Sequence, residues 1–293
     1  MLNDQTMLYR FGDQEISLVC WRCQGSLDSS TRSCRSCNAV FTMSGEVPIF
    51  LSSEQQAAVL QEEAGDRENG LKNFFKRWPT LYYTIKHVMA PVLYTGLTPK
   101  AFFHTQLPEA RLLNIGSGPS SVHPRILNVD LFAFPNVHIV ASADALPFPS
   151  ETFDAVCTDQ VLEHVLHPQE VAAELLRVLK KGGVIYHAVP FMYPLHPSPK
   201  DYSRWSIDGL ASLFPAATIV QSGVLIGPVC GMLCVLAAGL AVICSFGIQV
   251  LRMFWMTFFL LIFSPLQVLD LLYARLPGAE YTALSVYVVM KKD

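Results

Sequence analysis

The chain has 293 residues, of which 51% are apolar and only 15% charged, against roughly 25% charged in an average soluble protein. That length supplies about two domains with cores of their own, which excludes a disordered chain and a disulfide-dependent mini-fold. Lys+Arg 21 against Asp+Glu 24, a net charge of −3, shows no basic excess of the kind that holds nucleic-acid phosphates, so nucleic acid is not the expected partner.

The first residues, MLNDQTMLYRFGDQE, lack the basic and apolar regions of a secretory signal, so the expected location is the reducing, cytoplasmic side of a membrane. Eight cysteines are present, four of them between positions 20 and 37. Their spacing, Cys20-x2-Cys23 and then Cys34-x2-Cys37, sets two knuckles that each aim two thiolates at one point. Two such knuckles complete the tetrahedral sulfur shell of a structural Zn2+, with no open position for chemistry. A zinc-ribbon module is expected over 1–51, stabilised by its metal because it is too small for its own core. The polar stretch that follows and the aromatic segment LKNFFKRWPTLYYTIKHVMAPVLYTGL form a helical linker over 52–105.

From Arg111 to Val189 short β-like runs alternate with polar or helical ones: RLLNIG, RILNVD, HIVASAD, FDAVCTD, the helical QEVAAELLRVLKK, then GGVIYHAV. This is the rhythm of an α/β fold, a parallel sheet with crossover helices. The first run ends in Asn114-Ile115-Gly116-Ser117-Gly118-Pro119, where glycine lets backbone approach a ligand lying across the strand ends. Asn128-Val129-Asp130-Leu131 then places a carboxylate at the end of the next strand, where it can accept both hydroxyls of a ribose. Ala143-Asp144-Ala145-Leu146-Pro147-Phe148, Asp159-Gln160-Val161-Leu162-Glu163-His164-Val165 and Arg177-Val178-Leu179-Lys180-Lys181-Gly182-Gly183 follow in order.

This ordered set resembles the class I S-adenosylmethionine-dependent methyltransferases, in the type 11 branch associated with bacterial envelope polysaccharides, over about 111 to 216. The ribbon followed by GEVPIFL is similar to modules that precede some bacterial methyltransferases. The resemblance implies a Rossmann-like sheet that binds S-adenosylmethionine. Asn114, Gly116, Ser117 and Gly118 would border the methionine moiety, Asp130 with Leu131 the ribose, and Asp144, Ala145 and Leu146 the adenine. Asp159 and Gln160 would lie near the methionine end. Asn114 stands where this superfamily usually has an acid, and eleven residues between Gly118 and Asp130 leave the first helix very short or lost. A dinucleotide would need that helix for its pyrophosphate and a sulfonium ligand does not, which favours S-adenosylmethionine over NAD.

After the fifth strand, VPFMYPLHPSPKDYSRW makes a proline-rich loop where this superfamily receives its acceptor. His196 is a candidate general base for an acceptor hydroxyl, with a loop-fixing histidine as the equal alternative. His164 is the second catalytic candidate, although a helix-start or cofactor-pocket role suits it better. Asp201 and Arg204 read as an ion pair fixing the loop, and His187 as a packed core residue.

Between Asp208 and Arg252 lie 43 residues without a formal charge, and 17 more separate Arg252 from Asp270. Pro228 can start a helix of roughly 28 Å and a second can run from Gln249 past Pro265, each about the length that crosses a bilayer. The strands predicted at ATIVQ and SVYVVM would be the sixth and seventh of the sheet, so the apolar hairpin is an insertion between them with both ends on one side of any membrane. The resulting division is 106–222 methyltransferase domain, 223–280 hairpin and 281–293 last strand. Gly227, Gly231 and Gly239 give the first helix a small-residue face for the second. The expected activity is methyl transfer to an oxygen of a lipid-linked or envelope glycan precursor. An RNA methyltransferase with the ribbon as reader, a silent membrane scaffold, and a homodimer through the hairpin stand as alternatives.

Overall fold

A computed structural model describes residues 7–65, 92–119, 121–196 and 200–293; most of the aromatic segment, and the central Pro-Ser-Pro of the proline-rich loop, lie outside these. β1 (Met7–Phe11) and β2 (Gln14–Leu18) form an antiparallel hairpin. The two cysteine knuckles flank the short pair β3 (Leu27–Asp28) and β4 (Ser33–Cys34). A second hairpin, β5 (Thr42–Ser44) and β6 (Val47–Phe50), leads into α1 (Ser53–Gly65). The part of the linker nearest the sheet is α2 (Pro99–His104), started by Thr98, whose hydroxyl accepts the Ala101 N–H at 3.2 Å.

The sheet strands are β7 (Leu112–Ile115), β8 (Ile126–Asp130), β9 (Ile139–Ala141) and β10 (Phe153–Asp159). After α3 (Pro168–Val178) come β11 (Leu179–Pro190), α4 (Ile207–Ala211), β12 (Ala217–Ile226) and β13 (Ser285–Lys292). Every residue of β7, β8 and β9 is buried, as parallel strands covered on both faces require. α3 lays Val171, Ala172, Leu175 and Val178 against the sheet, one apolar stripe of helical period. The helix predicted through Lys181 stops at Val178, because Leu179 already pairs with Phe153 and the Lys180 ammonium reaches Asp154 at 2.6 Å.

The order across the sheet is β12-β13-β11-β10-β7-β8-β9-β6-β5. β7 to β11 are parallel, and β13 and β12 return antiparallel at one edge. At the other edge β6 pairs parallel with β9 through Ile49↔Val140 and Phe50↔Ala141, so the N-terminal module extends the sheet. Its Leu18, Trp21, Phe41 and Phe50 share one core with Leu113, Ile139 and Phe148. Among the described residues no helix lies between β7 and β8, as the short spacing leads one to expect.

The apolar insertion is a helical hairpin, α5 (Pro228–Ser245) and α6 (Gln249–Phe263), continued by a 3-10 turn and α7 (Asp270–Tyr273). Its spans 228–245 and 249–273 have mean hydropathies of 2.2 and 1.7, and no residue of α6 is buried. The glycines of α5 do not serve α6 as expected. A Cβ on Gly231 would lie 2.2 Å from the Thr282 carbonyl, one on Gly227 2.1 Å from the Asp270 carboxyl, and one on Gly239 would meet nothing. These close approaches admit the hairpin's own exit. Asp270, fully buried, accepts the Val229 and Cys230 N–H groups at 2.9 Å each, satisfying two orphan donors of the α5 N-terminus and complementing its dipole. Asp270→Ala leaves both donors buried and unpaired, at about 1–3 kcal/mol each. A thermal melt of the detergent-solubilised variant is therefore expected to be clearly lowered; an unchanged melting temperature would show that the clasp contributes nothing.

Candidate functional site

The strand order reverses between β7 and β10, and the crevice outside the C-terminal strand ends at such a reversal is the position where open α/β sheets take ligands. Gly116 follows β7 at φ +67°, and a Cβ there would sit 2.3 Å from a Val161 methyl; only glycine fits both the backbone and the neighbour. The Gly118 N–H donates to Asp130 Oδ2 at 2.8 Å, and the Phe132 N–H to Oδ1 at 2.9 Å. Asp130 thus holds the glycine turn onto the end of β8. Burial raises its pKa, opposed by these backbone donors.

Asn114 is buried in β7. Its buried amide donates to Asn128 Oδ1 at 3.2 Å across the β7–β8 ladder. Ser117 and Leu131 are half-buried beside the turn. Asp144 is exposed on the turn after β9, with Ala145 half-buried and Leu146 buried. That turn is clamped from α3 and from the N-terminal module. Glu174 Oε1 accepts the Leu146 N–H at 2.7 Å, Arg177 donates to the carbonyls of Leu146 and Phe148, and the Val19 N–H donates to the Pro147 carbonyl at 3.1 Å. Arg177 and Glu174 form a two-pronged pair at 2.7 Å in both contacts. Neither residue stands out in sequence except as part of a helix face. Arg177 is 23% exposed, so solvent screens the pair in part; Arg177→Met is expected to cost about 2 kcal/mol locally. Cofactor titration by calorimetry should show at least about a tenfold loss of affinity, and unchanged affinity would mean that the turn holds its shape unaided.

At the other side of the crevice, Gln160 ends β10 in the left-handed region at φ 56° and its amide donates to Ser285 Oγ at 3.1 Å. Asp159 beside it is half-buried. The 3-10 turn Leu162–His164 then carries Glu163, fully buried. In sequence Glu163 is only an acid beside His164 in an apolar run, and that isolation is the signal that singles it out. Both its oxygens lack a hydrogen-bond partner among the described residues, and burial pushes its pKa up to about 8.

The two candidate histidines converge on it. His164 Nε2 lies 3.8 Å and His196 Nε2 3.9 Å from Glu163 Oε1. His164 Nδ1 bonds to the Lys200 carbonyl, which can only accept, so Nδ1 carries a proton and Nε2 is the nitrogen that faces Glu163. His196 is oriented by the Asp201–Arg204 pair. Its main-chain N–H donates to Asp201 Oδ2 at 2.9 Å, and its Nδ1 lies 3.2 Å from that oxygen and 3.3 Å from an Arg204 nitrogen. Arg204 grips both Asp201 oxygens, which holds that carboxyl well below its usual range. The Tyr193 ring packs on His196 at 4.5 Å. His187, by contrast, is buried in the sheet on Thr158 and Phe214, and burial lowers its pKa to about 3; it is packing.

The four ribbon sulfurs lie within 4.8 Å of one another, with Cys20–Cys37 at 3.6 Å and Cys23–Cys34 at 3.5 Å. A tetrahedral shell at about 2.3 Å has edges of about 3.8 Å. The knuckles match each other: Cys20 and Cys34 accept N–H groups from Arg22 and Ser36 at 3.4 Å, and Gln24 and Asn38 turn left-handed behind them. The site can hold a metal ion.

Residues 121–187 match the methyltransferase domain family. An uncharacterised methyltransferase of Mycobacterium tuberculosis is 31% identical over 84 residues, covering 29% of this chain and 33% of its own. A ubiquinone/menaquinone biosynthesis C-methyltransferase of Campylobacter jejuni is 38% identical over 79 residues, covering 26% and 32%. The chain spans about a third of the length of these relatives. Among solved structures, a SAM-dependent methyltransferase of Thermotoga maritima overlaps 75% of this chain and 99% of its own, at 16% identity and a TM-score of 0.44. Over residues 121–187 the chain is thus similar to a methyltransferase domain.

Proposed function

We propose that the chain is an S-adenosylmethionine-dependent methyltransferase that works at a membrane surface and transfers its methyl group to a hydroxyl oxygen of a lipid-linked or envelope glycan acceptor. The cofactor would lie across the crevice, its methionine end along Gly116, Ser117, Gly118, Asp159 and Gln160, its ribose on Asp130 and its adenine on the clamped turn 144–146. The chain provides no helix N-terminus behind β7 for a pyrophosphate among its described residues, which supports a sulfonium ligand over a dinucleotide. Glu163, His164 and His196 are the part of the site that meets the acceptor oxygen and its proton. The four cysteines would hold a structural Zn2+.

The observation that carries the membrane reading is where the hairpin is rooted. Ser285 pairs with both Pro190, the last residue of β11, and Ile226, the last of β12, so the insertion leaves the sheet at the C-terminal end of β11, the same end of the parallel strands as the site. A small apolar cavity of about 70 Å³ between the hairpin helices is lined by Cys230, Cys234, Met256 and Leu260, and also by Tyr193, the ring that packs on His196. A lipid-embedded acceptor chain at the hairpin would bring its head to the histidines. The long unburied face of α6, with Phe254 58% and Ile262 53% exposed, suits hydrocarbon better than water.

The test is to incubate membranes and purified protein with methyl-labelled S-adenosylmethionine and follow the label. Label in a lipid-extractable fraction that mild acid converts to methylated sugar supports the proposal. Label in RNA alone, or no binding of the cofactor by calorimetry, overturns it.

A further inference from the structure

We infer that Glu163, His164 and His196 form a divalent-metal site at the acceptor end of the crevice, separate from the four-cysteine site. Three ligand atoms, Glu163 Oε1 and the two histidine Nε2 atoms, lie within 4.8 Å of one another. His164 has Nε2 free to ligate, because its other nitrogen faces a carbonyl and carries a proton. Glu163 presents a carboxyl group that is fully buried and that no donor among the described residues satisfies. A buried, unsatisfied carboxyl flanked by two imidazole nitrogens is completed by a proton or by a cation, and a metal ion is the completion that takes all three ligand atoms at once. The separations of 3.8 and 3.9 Å close to the spacing around an ion at about 2.1 Å with a few tenths of an ångström of side-chain movement.

The surroundings are those that metal-bound histidines use. One histidine is tied through Nδ1 to a backbone carbonyl, and Nδ1 of the other stands 3.2 Å from the Asp201 carboxylate and 3.3 Å from an Arg204 nitrogen, outer partners of the kind that fix ring orientation around a metal. Arg204 locks that carboxylate in place, so Asp201 is a positioning residue. Two imidazoles and one carboxylate on one side of an ion leave its other positions open, and nitrogen and oxygen donors suit Mn2+, Fe2+ or Zn2+ better than soft thiophilic ions.

On the proposed function, the open positions would take two oxygens of the acceptor, which names a vicinal sugar diol as the acceptor class. The bound hydroxyl loses its proton to solvent, its oxygen forms the new bond to the methyl carbon, and the carbon–sulfur bond breaks with its electron pair passing to sulfur. The products are the methyl ether and neutral S-adenosylhomocysteine.

The test uses the zinc-loaded, detergent-solubilised full chain, titrated with Mn2+ while the electron paramagnetic resonance signal of free Mn2+ is followed. Mn2+ is a hard ion and avoids the thiolate site. The site predicts one equivalent bound by the native chain, loss of at least about tenfold in affinity for Asp201→Asn, and a greater loss for Glu163→Gln. Cofactor binding by calorimetry on the same samples reports folding of the variants. No Mn2+ binding by a native chain that binds cofactor overturns the metal site and leaves the methyltransferase reading standing. Mn2+ binding with no cofactor binding does the reverse. Binding that both variants retain also overturns the site, because the ion then sits elsewhere.

Discussion

On the proposal that Cys20, Cys23, Cys34 and Cys37 hold a structural metal, stripping it with a strong chelator is expected to weaken cofactor binding by at least tenfold, although the cysteines lie outside the crevice. The route is physical and continuous. The knuckles order 19–41; Val19 donates to the Pro147 carbonyl, and Phe50, at the end of the module, is fully buried on Trp21 and Phe41 while its strand pairs with β9. β9 leads directly into Asp144, Ala145 and Leu146. Zinc contributes about 10–16 kcal/mol to folding where small modules depend on it. Here the module also shares the sheet's core, with Cys20 and Cys34 buried in it, so the loss should be local, and far-UV circular dichroism should retain most of its amplitude. Calorimetric titration with S-adenosylmethionine before and after chelation, with zinc added back, decides the matter. If affinity is the same in both states, the module is an independent adaptor and the contacts to the turn are incidental.

That coupling also marks the limit of what the chain reveals as sequence. The strand runs from Leu112 to Val189, the cysteine spacing and the insertion between the last two strands are legible because each is a local pattern: buried alternation, paired knuckles, a charge-free stretch. The addition of β5 and β6 to the sheet edge is not, since VPIF reads the same whether it pairs with β9 or closes a separate ribbon. The turn carrying Asp144 is legible as a motif, but the clamp on it depends on a helix turn that brings Glu174 and Arg177 under it. Glu163 shows the same gap. Sequence places it beside His164, whereas only the return of the loop at His196 makes it the centre of a cluster. Asn114 adds a contact that its position alone does not show: its amide donates to Asn128 across the ladder. For Gly227 and Gly231 the small-residue spacing was readable, but the partner was the backbone around 282–284 and Asp270 rather than the neighbouring helix.

Replacing His196 with alanine is expected to lower methyl transfer by about 10²–10⁴-fold while leaving cofactor affinity within about twofold. The first half follows from position. His196 follows the C-terminal end of β11, packs edge-on against the Tyr193 ring that lines the hairpin cavity, and aims Nε2 at Glu163. It is therefore among the few side chains that meet both the route from the membrane and the buried carboxyl. The second half follows from separation, because the glycine turn, Asp130 and the clamped turn are built by other strands. Arg204→Lys provides the graded comparison. A lysine keeps the charge but cannot grip both Asp201 oxygens, so the loop should loosen and the rate fall, by less than for the alanine variant. Single-turnover kinetics under saturating cofactor separate these effects from binding. A His196→Ala enzyme with native turnover would reduce His196 to a loop fastener and leave the acceptor chemistry to Glu163 and His164.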